Sequence, residues 1–145
     1  MGACSHGLNI EVTERGLVAD VSAAAATLER LRERGAQVFI DDFGTGYSSL
    51  RYLHELPLDV IKIDRSFVAS LASSEKSRSL VSLLVSLARS MDVQMLAEGI
   101  EDQEQIRILK ELGVPMGQGY FFSRPVPVHQ ARELLESGQP LGGQD

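Results

Sequence analysis

The residues best suited to chemistry in this sequence are carboxylates and one lysine near the ends of short apolar runs. Two adjacent aspartates, Asp41 and Asp42, end one run, and Lys62 lies in another. The other polar residues at such positions are Glu11, Asp64, Glu98 and Gln118. Buried parallel strands do not ordinarily carry these side chains. Their recurrence from run to run therefore indicates a shared site.

Carboxylates grouped with a lysine are typical of a site for hard divalent cations. Mg²⁺ and Mn²⁺ prefer oxygen ligands, and two such ions about 3.5–4 Å apart can hold a phosphoryl group for in-line displacement. In such a site, adjacent aspartates such as Asp41 and Asp42 are useful because one carboxylate can bridge the two ions while its neighbour caps one of them. Neighbouring strand residues point to opposite faces, so this use requires a strand end or a kink. The lysine would orient the attacking water or stabilise charge on the phosphoryl oxygens.

Each of these residues taken singly also has an ordinary structural explanation. A carboxylate at a strand end is usually solvated or caps a helix. Asp42 would then belong to a turn, and Lys62 would form an ion pair with Asp64. The aromatic run at residues 120–122 is expected in the core, although Tyr120 would also reach the site. The pattern alone leaves the metal site and these structural roles both open.

Strand-like and helix-like segments alternate along the chain, and this alternation must position the site. The strand-like runs cover residues 8–13, 37–42, 59–64, 93–99 and 117–122. The helical segments cover about residues 20–34, 49–55, 75–91, 102–112 and 128–136. Strict alternation predicts a parallel sheet with crossover helices, either doubly wound or part of a (β/α) barrel. A whole barrel needs about 250 residues, roughly 31 per unit, so about three units would be missing. In both folds the carboxyl ends of the strands meet at one edge.

Composition excludes several classes of protein. The 145 residues, 43% of them hydrophobic, suit one domain with a real core. A net charge of -6 without a basic cluster argues against binding to duplex nucleic acid. The single cysteine, Cys4, excludes an internal disulfide and suits a reducing compartment. No apolar run approaches the ~20 residues of a membrane span, and the first residues lack signal-peptide features. We therefore expect a soluble, cytoplasmic domain.

Several strings, in their order and spacing, resemble the C-terminal part of the EAL domain family. They are IDDFGTGYSSL (40–50), LPLDVIKIDRSFV (56–68), LAEGIE (96–101) and GQGYFFSRP (117–125), preceded by the strand-like IEVTE (10–14). EAL domains are (β/α) barrels that bind the bacterial second messenger cyclic di-GMP, and active members hydrolyse it to linear pGpG with two Mg²⁺ or Mn²⁺ ions. The resemblance implies an α/β fold, a partial TIM-type barrel of about five βα units with a parallel sheet. This truncated domain would cover residues 8–137, between a non-matching segment 1–7 and a tail 138–145.

The resemblance also implies a role for each residue that matches the family's motifs. Glu11 would be a metal ligand, Asp41 would bridge the two ions and Asp42 would ligate the second ion. Lys62 would contact the nucleophilic water, and Glu98 would belong to the shell of metal and water.

Further residues would surround this centre. The residues expected on the substrate side or next to the ligands are Gln118, Asp64 and Arg124, which precedes Pro125 near the nucleotide. A mobile loop would couple metal and substrate binding to dimerisation; it comprises Phe43, Gly44, Thr45, Gly46, Tyr47 and Ser48, held by Glu14 and Glu101.

The sequence departs from the family pattern at one place. The family's Glu-Ala-Leu motif and a metal-binding asparagine lie upstream of the IEVTE-like strand, and this chain has neither. Loss of positioned metal ligands would remove most of the rate of a two-metal site, because the attacking water is then neither activated nor oriented. Three hypotheses follow: a phosphodiesterase that still hydrolyses cyclic di-GMP, a non-catalytic cyclic di-GMP receptor or regulator, and a module for protein association. The uncovered sheet edges predict a homodimer, or a partner protein that covers the open side of the barrel.

Overall fold

The computed structural model describes residues 7–13, 21–44 and 53–137, which contain five strands and five helices. The strands are β1 (Asn9–Thr13), β2 (Gln37–Phe43), β3 (Val60–Ile63), β4 (Gln94–Ala97) and β5 (Met116–Gly117). The helices are α1 (Val21–Arg32), α2 (Arg65–Ala69), α3 (Glu75–Ser90), α4 (Gln103–Leu112) and α5 (Val128–Ser137). None of the helices in these ranges is long and apolar enough to cross a membrane.

The strands form a single parallel sheet whose spatial order is the order of the chain, β1-β2-β3-β4-β5. A doubly wound sheet reverses its strand order at a switch point, and this sheet does not. Neighbouring strands of a (β/α) barrel follow this order, which confirms the predicted α/β class and the partial barrel. Within the described residues, β1 pairs only with β2 and β5 only with β4, so the sheet is open at both ends.

The core lies between the sheet and the helices that cover one of its faces. In β2 and β3 the alternate residues Val38, Ile40, Ile61 and Ile63 all belong to the main apolar cluster. The helix α3 contributes Val81, Leu84, Val85 and Ala88, spaced as one face of a helix. On the other face of these two strands, Asp41 and Lys62 lie beyond the buried Phe39 and Val60.

Helix ends are fixed by capping groups that the sequence supplies locally. Ser74 begins α3, because its hydroxyl accepts the Ser77 backbone N–H at 3.2 Å. Asp102 and Gln105 form a reciprocal capping box that begins α4. The helix α4 ends at Gly113, whose φ of 83° lies in the left-handed region.

Two segments differ from the sequence prediction. The strand expected at residues 117–122 is only Met116–Gly117, because the chain turns at Gly119, whose carbonyl accepts the Phe122 N–H at 3.1 Å. The short helix α2 was not expected, and Asp64 caps it immediately after β3. Most of the helix expected at residues 49–55 lies outside the described residues.

Candidate functional site

A lysine at the centre of the sheet gathers three carboxylates at the carboxyl ends of the strands. The Lys62 Nζ lies 2.7 Å from Glu98 Oε1, 2.9 Å from Glu11 Oε2 and 3.1 Å from Asp41 Oδ1. These side chains come from β1, β2, β3 and the residue after β4. The structure thus brings together four of the residues that the sequence predicted to converge, and the lysine pairs with these three acids rather than with Asp64.

Strand alternation explains why Lys62 and Asp41 share a face. Ile61 and Ile63 pack in the apolar cluster, so Lys62 between them points to the opposite face. Ile40 likewise packs in the cluster, which turns Asp41 to the side of Lys62. The site is therefore built on the face of the sheet that the helices leave uncovered.

A bulge at the end of β2 gives the two adjacent aspartates different positions. Asp42 has a left-handed φ of 55°, and the register with β3 shifts between Ile40 and Phe43. Aspartate tolerates this backbone conformation better than most residues. The Asp42 N–H donates to Asp41 Oδ1 at 3.0 Å, which orients the Asp41 carboxylate. The kink that the sequence required for this pair is present.

The Lys62 side chain is almost fully buried, with 5% of it exposed. Burial by itself would lower the pKa of the ammonium group, but hydrogen bonds to Glu98, Glu11 and Asp41 outweigh it and raise the pKa above its ordinary value. The group is therefore a permanent cation at neutral pH.

Gln118 extends the cluster from β4 to β5. Its Nε2 donates to Glu98 Oε1 at 2.7 Å, and its backbone N–H donates to the Ala97 carbonyl at 2.8 Å. The Glu98 backbone N–H donates to the Ile63 carbonyl at 3.2 Å. The Glu98 carboxylate is thus positioned by the amide of Gln118 as well as by the lysine.

A pocket of about 710 Å³ opens beside the cluster. Its polar and charged lining residues are Asp42, Asp64, Arg65, Glu98, Glu101, Gln118, Tyr120, Ser123 and Arg124. The Arg124 guanidinium lies over the Tyr120 ring, 4.8 Å from the ring centroid. The two arginines and the exposed aromatic ring can contact phosphate and a planar base. The four carboxylates of the same lining would repel an anionic ligand unless cations lay beside them. Sequence reasoning placed Arg124 here and missed Arg65, although Arg65 follows a strand-end aspartate.

The structure places two residues, Phe43 and Tyr120, differently from the sequence expectation, and it gives Asp64 an additional role. Phe43, expected in a mobile loop, is the last residue of β2 and is 2% exposed in the apolar core, because the bulge at Asp42 returns it to that face. Tyr120, expected mainly in the core, is 56% exposed and lines the pocket. Asp64 lines the pocket but also caps α2, where its carboxylate accepts the Ser66 N–H at 3.0 Å.

The expected loop and its anchors lie only partly within the described residues. Gly44 is described, whereas Thr45–Ser48 and Glu14 lie outside. Glu101 lines the pocket, and its backbone N–H donates to Gln105 Oε1 at 2.7 Å. The role of Glu101 as an anchor of this loop stays a prediction.

The donor atoms of the cluster have the chemistry that Mg²⁺ and Mn²⁺ prefer, yet they are not arranged as a complete site. Glu11, Asp41 and Glu98 each direct an oxygen at the Lys62 ammonium. Among residues 7–13, 21–44 and 53–137, no three histidine, cysteine, aspartate or glutamate side chains are grouped to hold a metal ion. Cation binding would require these oxygens to be shared with the lysine or redirected from it, and further ligands to be added.

Comparison with known proteins identifies relatives of the chain. A family model described as EAL domain matches residues 2–125. The Pseudomonas aeruginosa protein named cyclic di-GMP phosphodiesterase NbdA is 42% identical over 136 residues, which are 94% of this chain and 17% of that protein. The chain therefore spans about one sixth of the length of that relative.

Solved structures show the same likeness in three dimensions. A structure described as the PaMucR phosphodiesterase in complex with cyclic di-GMP has a TM-score of 0.79 and 42% identity, covering 86% of this chain and 50% of that one. A manganese and cyclic di-GMP complex of Klebsiella pneumoniae BlrP1 has a TM-score of 0.73 and 34% identity, covering 81% of this chain and 30% of that one. The likeness supports the expected family and a fold that matches part of each neighbour.

Proposed function

Because the chain belongs to the EAL domain family, we propose that its pocket binds cyclic di-GMP and that its carboxylate cluster is part of a site that hydrolyses this nucleotide to linear pGpG. The observation that carries the proposal is the position of the pocket, which shares Glu98 and Gln118 with the cluster around Lys62. A phosphodiester bound in the pocket would lie next to the carboxylates of the cluster, which we propose to take part in its hydrolysis.

The residues of the pocket suit the parts of this ligand. Arg65 and Arg124 would contact phosphate oxygens, since guanidinium groups form paired hydrogen bonds with phosphate. The exposed face of Tyr120 would take a guanine base, as aromatic rings do in other nucleotide sites. Asp42 lines the pocket and directly follows Asp41 of the cluster, so it would face the phosphodiester from the side of the cluster.

The cluster would supply the catalytic groups. Glu11, Asp41 and Asp42 would hold Mg²⁺ or Mn²⁺, which when bound activates water and neutralises phosphoryl charge. Lys62 would donate a hydrogen bond to the attacking water and so help to orient it. Gln118 would hold Glu98 in place through its amide hydrogen bond. Ligands beyond these described residues would have to complete the site.

A second function, binding of cyclic di-GMP without hydrolysis, is favoured by one specific observation. The three carboxylates are directed at Lys62 and do not form a metal site among the described residues. A chain that binds the nucleotide and does not cleave it would act as a receptor or regulator.

Asp41→Asn provides the test of the catalytic proposal. Purified chain is incubated with cyclic di-GMP and Mn²⁺, and nucleotides are separated by chromatography. We expect pGpG from the unaltered chain and a loss of about 100-fold or more in Asp41→Asn, because one displaced ligand disorders the reacting groups. Asp92→Asn is the matched control, since Asp92 is exposed in the loop that precedes β4, away from the carboxyl ends of the strands.

The outcomes separate the two functions. Equal hydrolysis by Asp41→Asn and the unaltered chain would disprove the role given to Asp41. Absence of product from the unaltered chain would favour the receptor, which calorimetric titration with cyclic di-GMP then checks. No binding in that titration would contradict both functions and leave protein association.

We also propose that the open sides of the sheet are covered by a second copy of the chain or by a partner protein. Two features support this proposal: among the described residues the outer edges of β1 and β5 have no partner strand, and α5 exposes the apolar side chains Val128 and Leu135. The expected domain limits, residues 8–137, and the cytoplasmic location stay predictions from the sequence.

A further inference from the structure

The Lys62 ammonium group stands at the point where carboxylates from three directions meet. An ammonium group has three N–H donors, and Glu98, Glu11 and Asp41 provide one acceptor oxygen for each of them. The contacts of 2.7–3.1 Å are hydrogen bonds as well as ion pairs. The lysine thus makes the full set of interactions of which its head group is capable.

Without this cation the three carboxylates would repel one another at a partly buried edge. Of their side chains, 18% is exposed in Glu98, 24% in Asp41 and 50% in Glu11, so water screens the first two only in part. Removing one partner from such a cluster leaves uncompensated charge, which is strongly destabilising. A compact ammonium group on a flexible stem is well suited to fill the centre between them.

We propose that Lys62 is the internal counter-cation of the metal-free site: it keeps Glu11, Asp41 and Glu98 gathered, and divalent cations compete with its ammonium group for their oxygens. This role is distinct from any contact with the attacking water. It goes beyond the proposed function, because it concerns the protein without nucleotide and holds whether or not cyclic di-GMP is bound or cleaved.

The proposal has two measurable consequences. The chain should fold without a divalent cation, since the lysine already pairs with all three carboxylates and reduces their mutual repulsion. Removing the lysine should make folding depend on the cation, because a divalent ion can then replace the missing charge. The lysine should also weaken the binding of the cation in the unaltered chain.

The first test is thermal unfolding of the full chain in EDTA and in excess Mn²⁺, without nucleotide, for the unaltered chain, Lys62→Met and Lys62→Arg. In EDTA, Lys62→Met should lower the Tm by about 10 °C, whereas Lys62→Arg, which keeps the charge, should lose less than half of that. Mn²⁺ should restore most of the loss in Lys62→Met. Lys76→Met, an exposed lysine on α3, is the matched control and should change little.

Equal stability of Lys62→Met and the unaltered chain in EDTA would overturn the proposal. So would a Mn²⁺ effect on Lys62→Met no larger than on the unaltered chain. If Lys62→Met does not fold in EDTA, the double variant Lys62→Met with Glu98→Gln decides, because it removes one negative charge together with the positive one. Cooperative unfolding of that double variant supports the role as counter-cation, and its failure to fold overturns it.

Calorimetric titration with Mn²⁺ alone tests the competition. We expect Mn²⁺ to bind Lys62→Met more tightly than the unaltered chain, by about 10-fold or more. The reason is that the variant lacks the ammonium charge that lies 2.7–3.1 Å from the oxygens the ion would bind. Equal affinity, or no binding to either protein, would overturn the competition. Since no nucleotide is present, these outcomes are independent of whether the chain is a phosphodiesterase.

Discussion

At the scale of single residues, the position of Gln118 depends on close packing against the backbone of Ile100. Gly119, the next residue, lies so near this backbone that it has no room for a side chain. The Ile100 N–H donates to the Gln118 carbonyl at 3.1 Å. A Cβ added at Gly119 would lie 2.2 Å from both the nitrogen and the oxygen of Ile100. Gln118 in turn donates to Glu98, so close packing behind the site determines where this carboxylate is held.

Gly119→Ala should therefore be costly. The Ile100 backbone atoms cannot move aside as a flexible side chain would, and we expect a loss of about 2–3 kcal/mol in the free energy of unfolding. Gly117→Ala is the matched control, because its added Cβ would clash with the terminal Cδ1 of Ile100, at 2.4 Å, and would make ordinary contacts of 3.7 Å with Phe122 and 3.8 Å with the Ala97 carbonyl. Urea denaturation of both variants checks the difference, and equal losses would contradict the role given to the Ile100 backbone.

At the scale of elements, Asp59 joins the helix α1 to the central strands at the end of the sheet away from the site. Its carboxylate accepts hydrogen bonds from Arg32 Nε at 3.1 Å and from Arg32 Nη2 at 2.8 Å. It also accepts the backbone N–H of Val38, a fully buried residue, at 2.8 Å. This one side chain therefore fixes α1, β2 and the start of β3 relative to one another.

Asp59→Ala should lower the free energy of unfolding by about 2 kcal/mol, because it leaves the buried Val38 N–H without its acceptor as well as breaking the ion pair. Arg32→Met should cost only about 0.5–1 kcal/mol, since the carboxylate keeps the Val38 N–H and the pair is partly solvated. Chemical denaturation measures both. A larger loss in Arg32→Met than in Asp59→Ala would show that the ion pair, rather than the Val38 hydrogen bond, dominates.

At the scale of the whole molecule, the described sheet has two unpaired edges, and α5 exposes an apolar stripe. None of the residues of α5 is buried, and Val128 and Leu135, which lie on one face, are 79% and 82% exposed. Exposed strand edges and apolar stripes are ordinarily covered by another element or a partner, so these surfaces are expected to be occupied in the working protein.

Charges on this stripe should weaken self-association. The double variant Val128→Lys with Leu135→Lys should shift the chain toward a monomer in size-exclusion chromatography with light scattering, because lysine ammonium groups resist burial in an apolar interface. Leu83→Lys is the control, since Leu83 is 64% exposed but lies on α3, between β3 and β4 in the chain. A cooperatively unfolding monomer of the unaltered chain at all concentrations would contradict self-association.

Much of the fold and of the site could be predicted from the sequence, because the relevant signals are local. Alternating strand and helix patterns predicted the parallel sheet, and the position of Glu11, Asp41, Lys62 and Glu98 in successive strands predicted that they converge. Parallel strands place equivalent ends at one edge, so no distant contact had to be known. The need for a kink between the two aspartates followed from the alternation of side chains along a strand.

Other features depended on contacts between distant segments. The strand β5 is short because the chain after it turns back onto Ile100, and Phe43 is buried because the bulge at Asp42 changes its side of the sheet. The pairing of Lys62 with three acids, rather than with nearby Asp64, depends on four strands lying side by side. The sequence by itself determined which residues meet at the sheet edge, since the alternation of strand and helix patterns depends only on residues that are close together in the chain. Only the tertiary structure decided which charges pair there, because that choice depends on distances between segments far apart in the chain.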